Sequence, residues 1–408
     1  MNSTPFSQRR KFIINLGKAL HKFGTPAYRL ETHLLSVTSI LGMGGSFIVT
    51  PTSLTFAIWE LGQHEQQLLY VVRVTPGEID LGSLARTDEL VDEVTSGQRS
   101  LEEAIDRLED IETKPNPYSH FTTLFAYGIS GGAFAMLMAT SWNDVIWSLV
   151  MSLVVYIFVY WASFSKNISE MLEPLVSLVS AFIVAGIVHL DPQINTALVV
   201  LSSIIAFIPG LALTLGLREL AARDLTSGTA RIMDAIMLLF KLYFGAVLGF
   251  AIGGQVWGEG AYVQPESLPT WTAWFAVLLL GSSLVVMFKI RLKDALWGII
   301  AGFIAYMMSS LAAVYFDVAL GAFFGAFCVG IYSNLYSRIC NAPATIVMLQ
   351  GLVILVPGSK VYMGLNSIVS GQEIIAVESI GAQSFLIFMS LVAGLIFSSV
   401  VLKPSRSL

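Results

Sequence analysis

Two proline–glycine pairs are the first candidates for a binding site in this 408-residue chain, because of their residue types and spacing. Pro209-Gly210 and Pro357-Gly358 both interrupt apolar segments of near membrane-spanning length. A proline removes a backbone donor and frees a carbonyl, which lipid cannot satisfy, so such a break must line a cavity or pack on protein. Freed carbonyls could hold an ammonium group and half-helix N-termini a carboxylate. The pairs predict a site for a small zwitterion where the two breaks meet, although either pair alone would suit a simple kink.

Charged residues within or beside apolar segments form a second group. Asp234 and Lys241 lie seven residues apart, and therefore on one helix face, in the predicted span Ile232–Gly253. Lys241 is deep in that span, and Glu173 begins another apolar segment. Ionisable groups are costly in a bilayer and mark functional positions there. Lys241 could snorkel to water, pair with an acid or bind an anionic substrate, whereas Glu173 or Asp234 could carry a coupled proton. An interfacial position, where an acid complements the helix dipole, is equally open for both acids.

The sequence argues against catalysis and against nucleic acid as a partner. It contains no G-x-S-x-G, H-E-x-x-H or P-loop pattern, and its five histidines and two cysteines have no metal-ligand spacing. We therefore expect no enzymatic activity, cofactor or metal. Only 12% of residues are charged while 55% are hydrophobic, and the net charge is −5. This composition is typical of a membrane protein, whose partners would be the lipid bilayer and a small-molecule substrate, with homo-oligomerisation left open.

The elements that must position these residues form a duplicated unit. The residues repeated at identical spacing are Asp144, Trp147 and Tyr156 in one copy and Asp294, Trp297 and Tyr306 in the other. About ten apolar segments follow residue 117, and the basic loop residues fall on one side of them except Lys360, as the positive-inside rule requires. Each copy has five segments, and because five is an odd number the second copy must run opposite to the first. We therefore predict an α-helical polytopic membrane protein of about ten transmembrane helices, built as two five-helix inverted repeats over residues 118–262 and 263–408.

Residues 1–117 read as a small α/β domain on the cytoplasmic side. Phe12–Phe23 and Tyr28–Leu41 have helical spacing, with Thr25 as the expected cap of the second helix. Three short apolar runs predict strands, namely Phe47–Thr50, Leu54–Trp59 and Leu68–Val74. The first eighteen residues are polar and basic without a long apolar run. We therefore expect both termini in the cytoplasm and the protein in the cytoplasmic membrane.

Three long segments resemble the threonine/serine exporter family. They are LHKFGTPAYRLE with TPTSL in the N-terminal domain, FIPGLALTLGLRELAARDLTSGTAR from Phe207, and SNLYSRICNAPATIVMLQGLVILVPGSKVYMGL from Ser333. The resemblance covers nearly the whole chain and implies a fused form of both membrane blocks. It also implies export of threonine and serine driven by the proton motive force. One branch of the family is linked to succinate export, so a dicarboxylate exporter is the alternative, and a membrane sensor is a further one.

The candidate site residues fall into three groups. Those assigned to substrate binding are Pro209, Gly210, Pro357, Gly358, Lys241 and Asn334. Those assigned to proton coupling are Glu173 and Asp234. Those assigned to regulation or gating are His21, Arg29, Glu31, Arg218 and Asp224. In a dicarboxylate exporter, Lys241 would bind a substrate carboxylate.

Overall fold

The N-terminal unit is a three-stranded sheet packed on four helices. The computed structural model describes residues 5–62, 66–258, 260, 263, 265–356, 358, 362 and 377–406. The elements of this unit are α1 (Phe6–Lys22), α2 (Ala27–Ile40), β1 (Met43–Thr50), β2 (Ser53–Glu60), β3 (Leu68–Arg73), α3 (Leu81–Thr95) and α4 (Leu101–Thr113). The strands are antiparallel in the order β1-β2-β3. The predicted small N-terminal sheet is confirmed.

Close packing of α1 on the sheet follows from one small residue. A Cβ on Gly17 would lie 2.6 Å from the ring of Phe56, so only glycine at this position allows the ring to pack against the helix. The fully buried Phe12 and Leu16 lie on the same α1 surface and extend this core. A left-handed residue, Gly24 with φ +82°, then turns the chain into α2.

The described part of the chain after α4 is almost entirely helical. Its helices are α5 (His120–Leu137), α6 (Trp142–Ala162), α7 (Lys166–Glu170), α8 (Leu172–Ile187), α9 (Thr196–Ser203), α10 (Gly210–Ala221), α11 (Leu225–Trp257), α12 (Thr272–Met287), α13 (Leu292–Tyr315), α14 (Val318–Cys340), α15 (Thr345–Leu355) and α16 (Val377–Val401). Within the described residues, five are long and apolar enough to cross a membrane, namely α6, α11, α13, α14 and α16. The count rises to six if α9 and the chain through α10, bent by 56°, form one broken span. The chain is therefore a multi-pass membrane protein.

Small residues bring two pairs of these helices together. A Cβ on Gly249 of α11 would lie 2.7 Å from the Cβ of Ala181 of α8. In the second pair, a Cβ on Gly394 of α16 would lie 3.0 Å from the Cβ of Ala326 of α14. Contacts this close are how membrane helices gain packing energy without a hydrophobic driving force.

The repeated aspartates anchor the starts of α6 and α13. Asp144 accepts the backbone N–H of Asn195 at 2.7 Å and closes a capping box at the start of α6. Asp294 accepts the hydroxyl of Tyr336 at 2.8 Å and pairs with Arg291 at 2.8 Å. Both carboxylates are buried and hydrogen-bonded, so the repeated motif fixes helix ends.

Candidate functional site

The two chain breaks lie against each other. α9 ends at Ser203, a 3₁₀ turn follows at Ile205–Phe207, and α10 starts at Gly210. A Cβ on Gly210 would lie 3.0 Å from the Cα of Gly358, and one on Gly358 would lie 3.1 Å from the Cα of Gly210. The backbones are therefore in direct contact, and a side chain on either glycine would separate them. Pro357, assigned to substrate binding, lies outside the described residues.

A cavity of about 190 Å³ lies beside this contact. Both breaks line it, with Ile208 and Gly210 on one side and Val356 and Gly358 on the other, and α5 and α12 complete the walls. Every described lining side chain is apolar. The volume is below the roughly 300–1,000 Å³ of pockets for drug-sized ligands, so it suits a molecule of a few heavy atoms.

Backbone groups supply the polarity that the lining side chains lack. Because α10 begins at Gly210, its first N–H groups have no carbonyl one turn earlier in the helix, and the positive end of its dipole faces the cavity. A helix N-terminus of this kind is a ready anion site. Thr214 fastens the first turn, because its hydroxyl donates to the carbonyl of Gly210 at 3.0 Å.

The N-terminal unit covers one end of the cavity. Ile79, in the segment before α3, contributes to the cavity wall. The backbone N–H of Leu81 donates to the carbonyl of Phe288 at 3.0 Å, and a Cβ on Gly82 would lie 2.4 Å from the carbonyl oxygen of Lys289. This segment therefore lies directly on the turn between α12 and α13.

A buried acid of α10 caps a helix of the N-terminal unit. The side chain of Glu219 is 0% exposed. It accepts the N–H of Ala27, the first residue of α2, at 3.1 Å and two hydrogen bonds from Arg231 at 3.0 and 3.1 Å. Thr25, the expected cap, makes no side-chain cap bond, and its buried hydroxyl has no partner within the described chain. A residue 192 positions away thus replaces the local cap.

Two residues assigned to gating lie at the same contact. Arg29 donates to the hydroxyl of Thr345, the first residue of α15, at 2.6 Å. The Arg218 guanidinium lies 5.6 Å from the ring centre of Tyr28 and donates to the sulfur of Met348 at 3.3 Å. The motif around Arg29 therefore contacts both α10 and α15, the helices next to the two breaks.

The other three gating candidates hold β1 in place. His21 has its Nε2 3.2 Å from a carbonyl of β1, and burial lowers the pKa of its imidazole. Glu31 accepts the N–H of Val49 at 2.9 Å, and burial raises the pKa of that carboxyl. Asp224 caps α11 through the N–H of Ser227, whose hydroxyl donates to the carbonyl of Val49 at 2.8 Å. All five gating candidates thus lie in or near one interface.

The remaining candidates lie away from the cavity. The Nζ of Lys241 is 3.6 Å from the Oε2 of Glu173, with side chains 44% and 26% exposed. Asp234 is exposed on α11, and Asn334 donates to the carbonyl of Leu402 at 2.6 Å. Their assigned roles in coupling and binding stay predictions.

Sequence reasoning missed Ile79 and did not assign Glu219 to the site. The signal for Glu219 was an acid inside the apolar helix that follows a Pro-Gly pair, with Arg231 twelve residues later. Ile79 carried no signal of its own, because an apolar residue in a loop is ordinary.

Both membrane blocks of the chain match models of a known protein family. A family model of threonine/serine exporters covers residues 11–253, and a second model, Threonine/Serine exporter, ThrE, covers residues 271–401. Pheromone-regulated membrane protein 10 of Candida albicans (strain WO-1) is 28% identical over 88% of this chain and 34% of its own length. The protein of that name from Pichia sorbitophila is 27% identical over 86% of this chain and 36% of its own length. That from Eremothecium gossypii is 24% identical over 97% of this chain and 56% of its own length.

The chain therefore spans between about a third and somewhat over half of these relatives' length. No solved structure matches it. The two family models together cover the N-terminal unit and both membrane blocks, which confirms the resemblance seen in the motifs. The chain belongs to the threonine/serine exporter family.

Proposed function

We propose that the protein is a secondary active exporter of threonine or serine across the cytoplasmic membrane, coupled to the proton gradient. The observation that carries the proposal is the contact between Gly210 and Gly358 beside a cavity of about 190 Å³. Family membership supports the substrate class. Broken helices that meet beside a small cavity are how many transporters hold their substrate.

The geometry suggests how a zwitterion would be held. Its carboxylate would lie at the start of α10, where the N–H groups after Gly210 and the helix dipole attract an anion. Its ammonium group would lie near backbone carbonyls at the two breaks. The described lining side chains carry no charge, which favours a substrate of zero net charge over a dicarboxylate.

The proposed architecture is two five-helix repeats of opposite orientation, ten spans in all. Tyr118, just before α5, donates to the carbonyl of Ile290, just before α13, so α5 and α13 start at the same end of the bundle. His120 at the start of α5 lies beside Tyr156 near the end of α6, so α5 and α6 are antiparallel. The corresponding helices α6 and α13 therefore run in opposite directions. The Gly249–Ala181 contact and its counterpart between α16 and α14 also support the repeat.

Glu173 is the proposed proton-coupling acid, with Asp234 less well placed. Glu173 pairs with Lys241 at 3.6 Å and is only 26% exposed, whereas Asp234 is exposed. Protonation of Glu173 would leave Lys241 without its counter-charge, which changes how α8 and α11 attract each other. Such a change is what a proton must cause to bias a transport cycle.

The N-terminal unit is the proposed cytoplasmic gate. Ile79 lines the cavity, and Arg29 and Glu219 fasten the unit to α15 and α10. A substrate arriving from the cytoplasm would have to pass this contact. The unit must therefore shift for loading, and its buried polar contacts give the closed position a defined geometry.

Efflux from proteoliposomes tests the proposal. Purified protein would be reconstituted with labelled threonine, serine, valine or succinate, and efflux measured with and without an imposed proton gradient. We expect gradient-dependent efflux of threonine and serine that unlabelled threonine inhibits and succinate does not. Gradient-driven succinate efflux without threonine efflux would establish the dicarboxylate alternative, and no efflux of any substrate would count against transport.

A further inference from the structure

Gln350 of α15 is a buried amide with no partner among the described residues. Its side chain is 1% exposed, and neither its Oε1 nor its Nε2 is hydrogen-bonded within the described residues. An amide out of water with neither half paired is destabilising and rare in folded proteins. Gln350 lies five residues after Thr345, which Arg29 contacts, and three residues before Val353, which lines the cavity. Along α15 it therefore lies between the contact with the proposed gate and the cavity wall.

The neighbouring helix leaves space for this amide. A Cβ on Gly298 of α13 would lie 1.0 Å from the Oε1 of Gln350. The amide therefore occupies the volume that any side chain at position 298 would fill. One turn later, Gly302 makes similar room for Ile354, whose Cδ1 would lie 2.7 Å from an added Cβ. The α13 surface is shaped to receive the side chains of α15, including a polar one.

The first repeat has unpaired polar groups at the corresponding positions. Ser202 precedes Pro209 by seven residues, as Gln350 precedes Pro357. Ser148 follows Asp144 by four residues, as Gly298 follows Asp294. The side chains of Ser148 and Ser202 are both 0% exposed, and their hydroxyls have no hydrogen-bond partner in the described part of the chain. Corresponding positions of both repeats therefore carry buried polar groups that have no partner in the part of the chain that the structure describes.

We propose that Gln350 determines specificity by hydrogen-bonding the side-chain hydroxyl of the transported amino acid, with Ser148 and Ser202 as its counterparts in the first repeat. The inference rests on the proposed export of threonine or serine. A primary amide both donates and accepts, so it matches a hydroxyl, which does the same. A site that hydrogen-bonds a substrate hydroxyl rejects an analogue lacking it, because the site's own polar groups are then left unpaired.

Valine is the test substrate, because it replaces the threonine hydroxyl by a methyl group at nearly constant shape. Efflux of labelled threonine and valine would be compared in wild-type protein, Gln350→Leu and Gln255→Leu. Gln255 is an exposed glutamine of α11 and serves as the matched control. We expect Gln350→Leu to reduce the threonine-to-valine ratio of efflux rates about tenfold, while Gln255→Leu leaves it unchanged. We also expect Gln350→Leu to raise the Tm, because an apolar group replaces an unpaired buried amide.

A second variant tests the idea without removing the amide. Gly298→Ala should displace the Gln350 side chain and lower the threonine-to-valine ratio of efflux rates. This variant also keeps the inference testable if Gln350→Leu fails to fold. A higher Tm with an unchanged ratio would show that Gln350 is only a packing defect and would overturn the inference. Equal wild-type efflux of threonine and valine would also overturn it. Wild-type protein that exports neither amino acid would instead refute the proposed function.

Discussion

Alanine at position 210 tests directly whether the two chain breaks pack against each other. The added Cβ would lie 2.3 Å from the Cγ1 of Val356 and 3.0 Å from the Cα of Gly358. The valine methyl can rotate away, but the Gly358 backbone must move. Overpacking of this kind costs about 1–3 kcal/mol. Alanine regains only part of the roughly 0.5–1 kcal/mol that it gains over glycine in mid-helix, because position 210 is the first residue of α10. The expected net loss for Gly210→Ala is thus about 1–2 kcal/mol of unfolding free energy.

Gly254→Ala is the matched control, because an added Cβ there meets no atom within 4 Å. It lies in α11, so the change should be neutral or stabilising by up to about 1 kcal/mol. The double variant Gly210→Ala/Val356→Ala removes the nearest methyl and should recover part of the loss, while the contact with Gly358 remains.

Thermal unfolding of detergent-solubilised protein, followed by tryptophan fluorescence, measures the stability change. For a chain of this size we expect a decrease in Tm of about 1–3 °C for Gly210→Ala. Threonine efflux from proteoliposomes should fall in the same variant, because the breaks border the proposed site. If Gly210→Ala matched Gly254→Ala in both Tm and efflux, the close approach of the two breaks would be refuted.

Three further changes test the rest of the reasoning. Glu219→Gln removes a fully buried carboxylate paired with the partly exposed Arg231, so it should lower the unfolding free energy by about 2–4 kcal/mol. It should also speed proteolysis of the N-terminal unit. Glu170→Gln, a change at an exposed acid, should alter the unfolding free energy by less than about 0.5 kcal/mol. Burial raises the pKa of Asp88 in α3 to about 7 from 3.8, so the native state holds a proton that the unfolded state has lost. Stability should therefore fall as pH rises from about 4 to 7, and Asp88→Asn should remove this slope and gain up to about 4 kcal/mol above pH 7, as measured by Tm against pH. Glu173→Gln should abolish proton-driven threonine efflux but keep exchange of labelled for unlabelled threonine; loss of exchange as well would contradict a role confined to coupling.

The sequence predicts the N-terminal sheet well because strand alternation is a local signal. The exception is the start of β1, which begins at Met43 rather than at the predicted Phe47. Gly44 pairs with Trp59 across the strands, and a Cβ on Gly44 would lie 2.1 Å from the Nε1 of that indole. Glycine here makes room for a ring, and it carries no apolar pattern that a sequence could reveal.

The site was predictable only where its physics is local. A proline breaks a helix whatever surrounds it, so the interruption near Gly210 follows from sequence. Capping at α2 does not, because Glu219 satisfies the N–H of Ala27 from 192 residues away. Gln350 was also invisible to pattern reasoning, since a single glutamine in an apolar helix reads as an ordinary interior polar residue until its partners are known.

The position of Lys241 shows how a helix boundary changes a functional reading. The sequence placed Lys241 deep in a span that starts at Ile232, but α11 starts at Leu225 and has 33 residues, about 50 Å of helix against a hydrocarbon core of about 30 Å. Its first turns therefore extend beyond the bilayer toward the N-terminal unit, where Ser227 contacts β1. Lys241 is level with Glu173, which lies in the first turn of α8. In the proposed orientation, with the N-terminal unit in the cytoplasm, the pair would lie near that membrane surface, and a cytoplasmic proton would reach Glu173 without crossing the cavity.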